Sequence, residues 1–313
     1  MIANRASLDA LFMVFRTAFN EAVAEANHRV TPNTMLVDDV AMTILSSGAA
    51  TTHAWMGQVP SMREWIGDRL VQDIIGEKLV VTNENYENTV GLSRNDIEDD
   101  QYQTFTHVVR ALGGAAEAVW KQLAIKALLG NGTWADVNPF FCSGRKLSAD
   151  SGTMTNASTA ALSGAAVEAA IAAMLSWKLH GGREAGATPE VLLVGPSLLA
   201  SAKQIVEAQI VASGGAGVSN VSPAMMLSVR FTPLITNNQW YVLGNKFGIR
   251  PVAVQKRKPA TLTRMDADTD EHVFTKNEVR YGADARGAGF LTMPFLAYAG
   301  GMASVPAWAD PEE

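Results

Sequence analysis

The sequence predicts an α+β protein on three observations: two stretches with long helical periodicity, short β-prone runs interleaved with them, and a strand-rich last third. Its 313 residues suffice to bury a sizeable core as one large or two ordinary domains. Hydrophobic residues at 48% and charged residues at 18% are ordinary for a globular chain. No run approaches the roughly 18 consecutive apolar residues of a membrane span, so a soluble protein with no membrane partner is expected. The start carries Asp9 and Arg16 in an amphipathic pattern where a secretory signal needs an unbroken apolar core, and an intracellular origin is expected.

The single cysteine, Cys142, excludes an intrachain disulfide framework and a cysteine-based zinc cluster, and reads as a small apolar filler. The net charge of -6 comes without a basic tail or stripe, which argues against specific recognition of nucleic acid. A mildly acidic surface repels nucleic acid and does not grip it, and charge alone assigns no role beyond that.

In chain order, Leu8, Leu11, Phe12, Phe15, Phe19 and Val23 mark an amphipathic helix within the first 26 residues, with Ser7 as its cap. Its apolar face fits either its own core or a neighbouring copy. Residues 50–95 alternate β-prone runs, Lys78 to Thr82 and then Tyr86, Val90 and Leu92, with many charges, and read either as a charged, half-exposed hairpin that leans on another surface, another subunit included, or as a solvated surface sheet. Asp96 then caps a predicted helix with Glu98, Asp99 and Asp100 in its first turn. The stripe Phe105, Val108, Val109, Leu112, Ala116, Val119, Trp120, Leu123 and Ala127 carries it to a stop at Gly130-Asn131-Gly132, a spine of about 45 Å. Gly113-Gly114 lies in mid-helix, where a bend is expected, at a cost in stability relative to alanine unless close packing requires small residues there.

The stretch from Lys146 to Ala160 reads as an exposed connection, and Ser163 to Leu179 as an Ala-rich helix. Glu190 to Val194 is a buried strand, and Ser197 to Val211 another helix. Ser213 to Ser222, including Gly214 to Gly217, is read as a mobile loop of small residues. Strands are expected at Met226 to Phe231, Trp240 to Leu243, Val252 to Gln255, Val273 to Tyr281 and Gly289 to Pro294, before a frayed tail from Pro306.

A search for chemistry assigns no catalytic, cofactor-binding or metal residue. The five histidines, His28, His53, His107, His180 and His272, stand singly and read as surface or cap residues. Asp266-Ala-Asp268-Thr-Asp270-Glu271 begins like a calcium loop, but Glu271 stands where glycine is needed and Asn277 where the bidentate glutamate belongs. It reads as a solvated acidic turn or a partner for Lys256-Arg257-Lys258. No phosphate-gripping Gly-rich loop and no nucleophile elbow occurs.

The stretches Trp55 to Arg69 (WMGQVPSMREWIGDR) and Tyr86 to Asp100 (YENTVGLSRNDIEDD) resemble the major head subunit, the T protein family, of Mu-like phages. Gln255 to Pro259, Asp268 to Phe274 and Asn277 to Phe290 (NEVRYGADARGAGF) are similar to that family's strand-rich region, with weaker likeness at the first helix and at Thr188 to Val206. The resemblance implies the tailed-phage major capsid fold, or Hong Kong 97-like fold. Residues 1–49 would then be an N-terminal arm and 50–95 an extended loop hairpin. Residues 96–150 would be a peripheral domain with the spine helix, 151–249 mainly an axial domain, and 250–313 the return of the peripheral domain with a C-terminal tail.

It further implies a structural protein, not an enzyme. Pentamers and hexamers would self-assemble in the host cytoplasm into the icosahedral capsid of a virion around non-specifically held double-stranded DNA. The partners implied are further copies of itself, a scaffold or protease, a portal and decoration proteins, with no cofactor. No Lys and Asn pair matched for covalent cross-linking carries over. Trp55, Arg63, Glu64, Trp65, Asp68 and Arg69 are the candidate intersubunit contacts, with packing inside one subunit as their alternative. The alternatives for the whole chain are a nanocompartment shell enclosing protein cargo and an oligomeric enzyme using dispersed carboxylates.

Overall fold

The structure, a computed structural model, describes residues 5–56, 76–99, 104–146, 152–179, 184–208, 210–213, 216–219, 226–267 and 269–309. The first half runs α1 (Arg5–Ala26), α2 (Val37–Val40), β1 (Ala41–Leu45), β2 (Ala50–Met56), β3 (Gly76–Thr82), β4 (Glu84–Ser93), α3 (Arg94–Asp99), α4 (Thr104–Gly130), β5 (Arg145–Lys146) and β6 (Thr153–Met154). The second half runs α5 (Gly164–Ser176), β7 (Thr188–Val194), α6 (Leu199–Glu207), β8 (Ile210–Ser213), β9 (Ala216–Ser219), β10 (Ser228–Phe231), β11 (Trp240–Asn245), β12 (Val252–Met265), α7 (Glu271–Lys276), β13 (Glu278–Leu291) and β14 (Ala297–Gly300).

One four-stranded sheet has the order β1-β12-β13-β4 and a second has the order β10-β7-β11-β14. In the first, the 14-residue strands β12 and β13 pair antiparallel from Val252↔Leu291 to Met265↔Arg280. Alternation along β13 turns Val279, Tyr281, Ala283 and Ala285 to one buried face. The helices α4 and α1 are layered on that face. Here the elements approach so closely that side chains are excluded: a Cβ at Gly289 would stand 2.5 Å from the Leu123 carbonyl oxygen of α4, and one at Gly287 would meet the Gln255 carbonyl oxygen of β12 and, at 2.6 Å, the Trp120 ring. Gly113 does the same between α4 and α1, since its Cβ would meet the Phe19 carbonyl oxygen at 2.6 Å. Phe15, Phe19, Leu11, Phe12 and Val23 thereby pack with Val109, Leu112, Val279 and Tyr281, so the sticky face of α1 is spent inside its own chain.

The second sheet has a run of four buried residues, Val191 to Val194, in its strand β7, as expected of a strand covered on both faces. Ser163 caps α5 by accepting from the Ala166 N–H at 3.2 Å. One apolar cluster joins this sheet to Trp120, Leu123 and Leu128 of α4 and to Val252 and Leu291 of the first sheet, so both sheets share a core.

Several expectations are corrected. α1 already begins at Arg5, so Ser7 lies inside the helix and is not its cap. Asp96 sits in the first turn of the short α3, and the spine proper, α4, spans 27 residues or about 40 Å. β4 leaves the hairpin of residues 50–95 and pairs with β13, so the hairpin consists of β2 and β3. α6 ends at Glu207, and Ile210–Ser213 pairs with Ala216–Ser219 as a small hairpin in place of a loop. Val273 lies in α7, which Asn277 ends with a left-handed φ of 50° before β13 begins.

The Ser- and Thr-rich connection is not wholly exposed. Asn156 is fully buried, donating to the carbonyls of Phe140 and Pro294 at 3.0 and 3.1 Å and accepting from the Cys142 N–H at 3.0 Å. Nor is the tail frayed as far as Ala309. Trp308 donates its backbone N–H to Ser143 at 2.9 Å, and Asn138 clasps the backbone of Ala309 through two bonds of 2.9 Å.

Substituting Gly113→Val should destabilise the unassembled protein by about 1–3 kcal/mol in urea denaturation, because α1 must move off α4. The neighbouring Gly114 faces open space, so Gly114→Ala should stabilise by ~0.5–1 kcal/mol, and equal effects at the two positions would contradict this packing.

Candidate intersubunit site

The hairpin pairs Ala50↔Thr82 through Met56↔Gly76, which sets Trp55 opposite Glu77. Its root is a small apolar contact: Leu79 and Val81 pack with Ala253, Ala288, Phe290, Met42 and Ile44, while the alternate residue Val80 is exposed. Arg63, Glu64, Trp65, Asp68 and Arg69 lie outside the described residues, and of Trp55 only the backbone is described. The structure therefore places the base on which the candidate contacts stand, and not the contacts.

That base contains a polar chain absent from the sequence reading. His53, stacked on Phe290 with ring centroids 4.7 Å apart, places Nε2 2.6 Å from Gln255 Oε1. Gln255 is fully buried and donates through Nε2 to Asn83 Oδ1 at 2.7 Å, and Asn83 Nδ2 donates to Ser46 Oγ at 3.1 Å and to the Gly48 carbonyl at 2.9 Å. Ser46 Oγ lies 2.8 Å from Thr51 Oγ1.

The direction of every bond follows from one backbone group. The Gly48 carbonyl only accepts, so the Asn83 amide nitrogen must face it; Asn83 Oδ1 then faces Gln255 Nε2, and Gln255 Oε1 requires a proton on His53 Nε2. The expectation that the histidines are surface or cap residues is thus corrected at His53. It is corrected also at His272, which is buried with Nε2 3.2 Å from the Met265 carbonyl oxygen. A lone histidine gives no pattern in sequence, and its partner Gln255 is remote along the chain.

A second joint lies where the chain enters the first sheet. Asp39 accepts from Arg29 at 2.8 and 3.1 Å, from Arg230 Nε at 3.1 Å and from the Leu36 N–H at 2.7 Å. Arg250, just before β12, donates to the Asp39 carbonyl oxygen at 2.9 Å and to Glu190 at 3.3 Å. Since Arg230 belongs to β10 and Glu190 to β7, these ions tie the second sheet to the entry of the first. Burial pushes the Asp39 carboxyl up, but the bonds from Arg29, Leu36 and Arg230 outweigh it and hold the group below its ordinary range. Nearby Lys121 is pulled down by burial against the field of Asp39.

The other residues singled out in the sequence are engaged within the chain where they are described. Among the described residues no cluster of three or more His, Cys, Asp or Glu side chains has metal-binding proximity. Asp266 pairs with Arg264 at 3.3 Å, and Asp270 turns its carboxylate to the Ala267 N–H at 2.9 Å. Lys256 and Lys258 pair with Glu117 and Asp284, so of the two readings of the acidic turn the one that made it their partner is not met at these two lysines. Cys142 is buried and its thiol is pushed up by that burial, as befits a filler.

The arrangement of a long helix across a sheet, a second sheet sharing its core and a separately rooted hairpin is matched by capsid subunits of tailed phages, whose fold is the Hong Kong 97-like one. The procapsid subunit of bacteriophage JBD30 matches with a TM-score of 0.55 at 22% identity, covering 99% of this chain and 78% of that one. The family model of the Mu-like prophage major head subunit gpT matches residues 8–159, 152–235 and 228–302, and the chain belongs to that family as a phage major capsid protein. The Mu-like prophage FluMu major head subunit of Haemophilus influenzae is 25% identical over 289 residues, 91% of this chain and 70% of that protein. The major capsid protein of Escherichia phage Mu is 30% identical over 128 residues, 41% of this chain and 40% of that protein. This favours the phage head over the nanocompartment and the enzyme.

Two outcomes test the joints. Asn83→Ala should strand the Gln255 amide and lower stability by about 1–3 kcal/mol, with hydrogen exchange faster in β2 and β3 than in β13. For Asp39, stability is present above the ordinary carboxylate pKa and is lost as pH falls through it towards the depressed value. Melting curves between about pH 5 and 3 should accordingly fall more steeply for the unsubstituted chain than for Asp39→Asn.

Proposed function

We propose that copies of this capsid protein join as pentamers and hexamers, close an icosahedral shell around double-stranded DNA, and assemble in the host cytoplasm. The observation that carries the reading is the hairpin. β2 and β3 pair only with each other, and their described contacts to the body are confined to the root around Val81, Phe290 and His53. An isolated two-stranded hairpin is marginal in water, so its outer part leans on a neighbouring copy.

Residues Trp55, Arg63, Glu64, Trp65, Asp68 and Arg69 are proposed as the contacts made there. The division of labour follows the two sheets. α4 with the sheet β1-β12-β13-β4 supports a peripheral domain, and α5 and α6 with the sheet β10-β7-β11-β14 support an axial domain. One sequence adopts slightly different tilts at different shell positions, while interface burial supplies the association free energy. A scaffold or protease, a portal and decoration proteins complete the set of partners, and the net charge of -6 suits a wall that does not grip DNA.

Charge reversal at Arg69→Glu should reduce shell yield when the expressed protein is imaged by negative-stain microscopy. Normal shells in normal yield would remove Arg69 from the contact set.

A further inference from the structure

Among the described residues, four other than glycine hold a positive φ: Asn131, Val137, Phe247 and Asn277. Asparagine visits this region readily, and Asn277 uses it to end α7. Phe247 has no such licence. With φ of 53° it precedes Gly248, φ 83°, in a two-residue turn closed by Lys246 and Ile249, whose backbones exchange hydrogen bonds of 3.1 and 2.9 Å. Such a turn prefers Asn-Gly or Asp-Gly, and a bulky ring in its first central position is strained.

The turn is nonetheless held in place. The Gly248 N–H donates to Asn245 Oδ1 at 2.9 Å, while Lys246 Nζ donates to the Ala185 carbonyl at 2.6 Å and lies 5.4 Å from the centroid of the Phe295 ring. Phe247 itself is 95% exposed, more than any other large hydrophobic residue described. Neither backbone preference nor burial in its own chain accounts for an aromatic ring there. Strained residues of this kind concentrate at functional contacts.

Elsewhere among the described residues a groove of about 410 Å³ runs between the root of β3 and the C-terminal half of α4, lined chiefly by Leu79, Val80, Tyr86, Leu123, Ala127 and Phe290 with Glu84 and Lys126 also in its wall. We propose that Phe247 of one copy inserts into this groove on a neighbouring copy. Every copy in a shell is surrounded by others of its kind. The ring and the groove are different patches of one surface, so their contact is head-to-tail, the type that closes rings of subunits. The groove lies beside the hairpin root, the base of the element whose outer part is proposed above to meet a neighbour. The inference rests on the shell-forming reading.

Its test separates folding from assembly. Phe247→Asn creates the preferred Asn-Gly turn, so the unassembled protein should melt at the same temperature or higher, while shell formation drops roughly tenfold or more through loss of a buried aromatic contact. Phe247→Leu, which keeps an apolar knob, should restore much of the yield. Photoreactive benzoylphenylalanine in place of Phe247 should cross-link within assembled particles to peptides holding residues 79–82 or 123–133 of another copy. Normal shell yield from Phe247→Asn, or cross-links in formed shells that map elsewhere, overturns the knob-and-groove contact and leaves the shell reading standing. No shells from the unsubstituted chain would sink both.

Discussion

The fold depends on one sheet and two helices brought closer than side chains at their crossings allow. The sheet meets α4 at Gly287 and Gly289, and α4 meets α1 at Gly113. Glycine inside a helix or strand is unfavourable in isolation, by roughly 0.5–1 kcal/mol compared with alanine. Its presence at these crossings trades that loss for close contact of large neighbours, Trp120 and Phe19 among them, both fully buried. Once the stack is set, the positions of the hairpin root and of the second sheet follow, because β3 packs on the first sheet's Ala288 and Phe290 and the second sheet shares α4's core.

Two polar joints are mounted on this stack, and they differ in kind. The chain of polar side chains from His53 to Ser46 has a direction fixed by one carbonyl, which favours a single geometry at the hairpin root. The ionic joint at Asp39 links segments far apart in sequence through charged groups that remain partly exposed, and it weakens with acid. The first gives the projecting hairpin a fixed root, and the second ties together two sheets that also share one core.

Periodicity made α1, the spine, α5 and β7 legible in the sequence, because each has an apolar stripe or run long enough to stand out from noise. The errors have local causes. Ser7 and Asp96 look like caps, yet the helices begin earlier, and a side-chain cap is a preference that flanking packing overrides. Val273 and Phe274 are β-prone by type, but they sit in a helical turn docked beside the strand that follows. The tail and the Ser- and Thr-rich connection look disordered by composition, and what fixes them, Asn138 on Ala309 and Asn156 on Phe140 and Pro294, are single amides reaching across the fold. At the candidate site the charged segment is legible from composition, whereas the buried amides beneath it leave no pattern along the chain.

The order β1-β12-β13-β4 has a consequence for how the chain comes into being. The outer strands are made early and the central pair late, so β1 and β4 have no sheet to join until synthesis has passed the whole stretch between Ser93 and Val252 and then delivered β12 and β13. At about 5–20 residues per second that interval is on the order of ten seconds. Contacts of such sequence separation form slowly even in a finished chain. During that window unpaired strands are exposed on a nascent polypeptide expressed in many copies. The charges spaced along β4, Glu84 and Glu87, stand where premature strand-to-strand pairing between nascent chains would be most damaging.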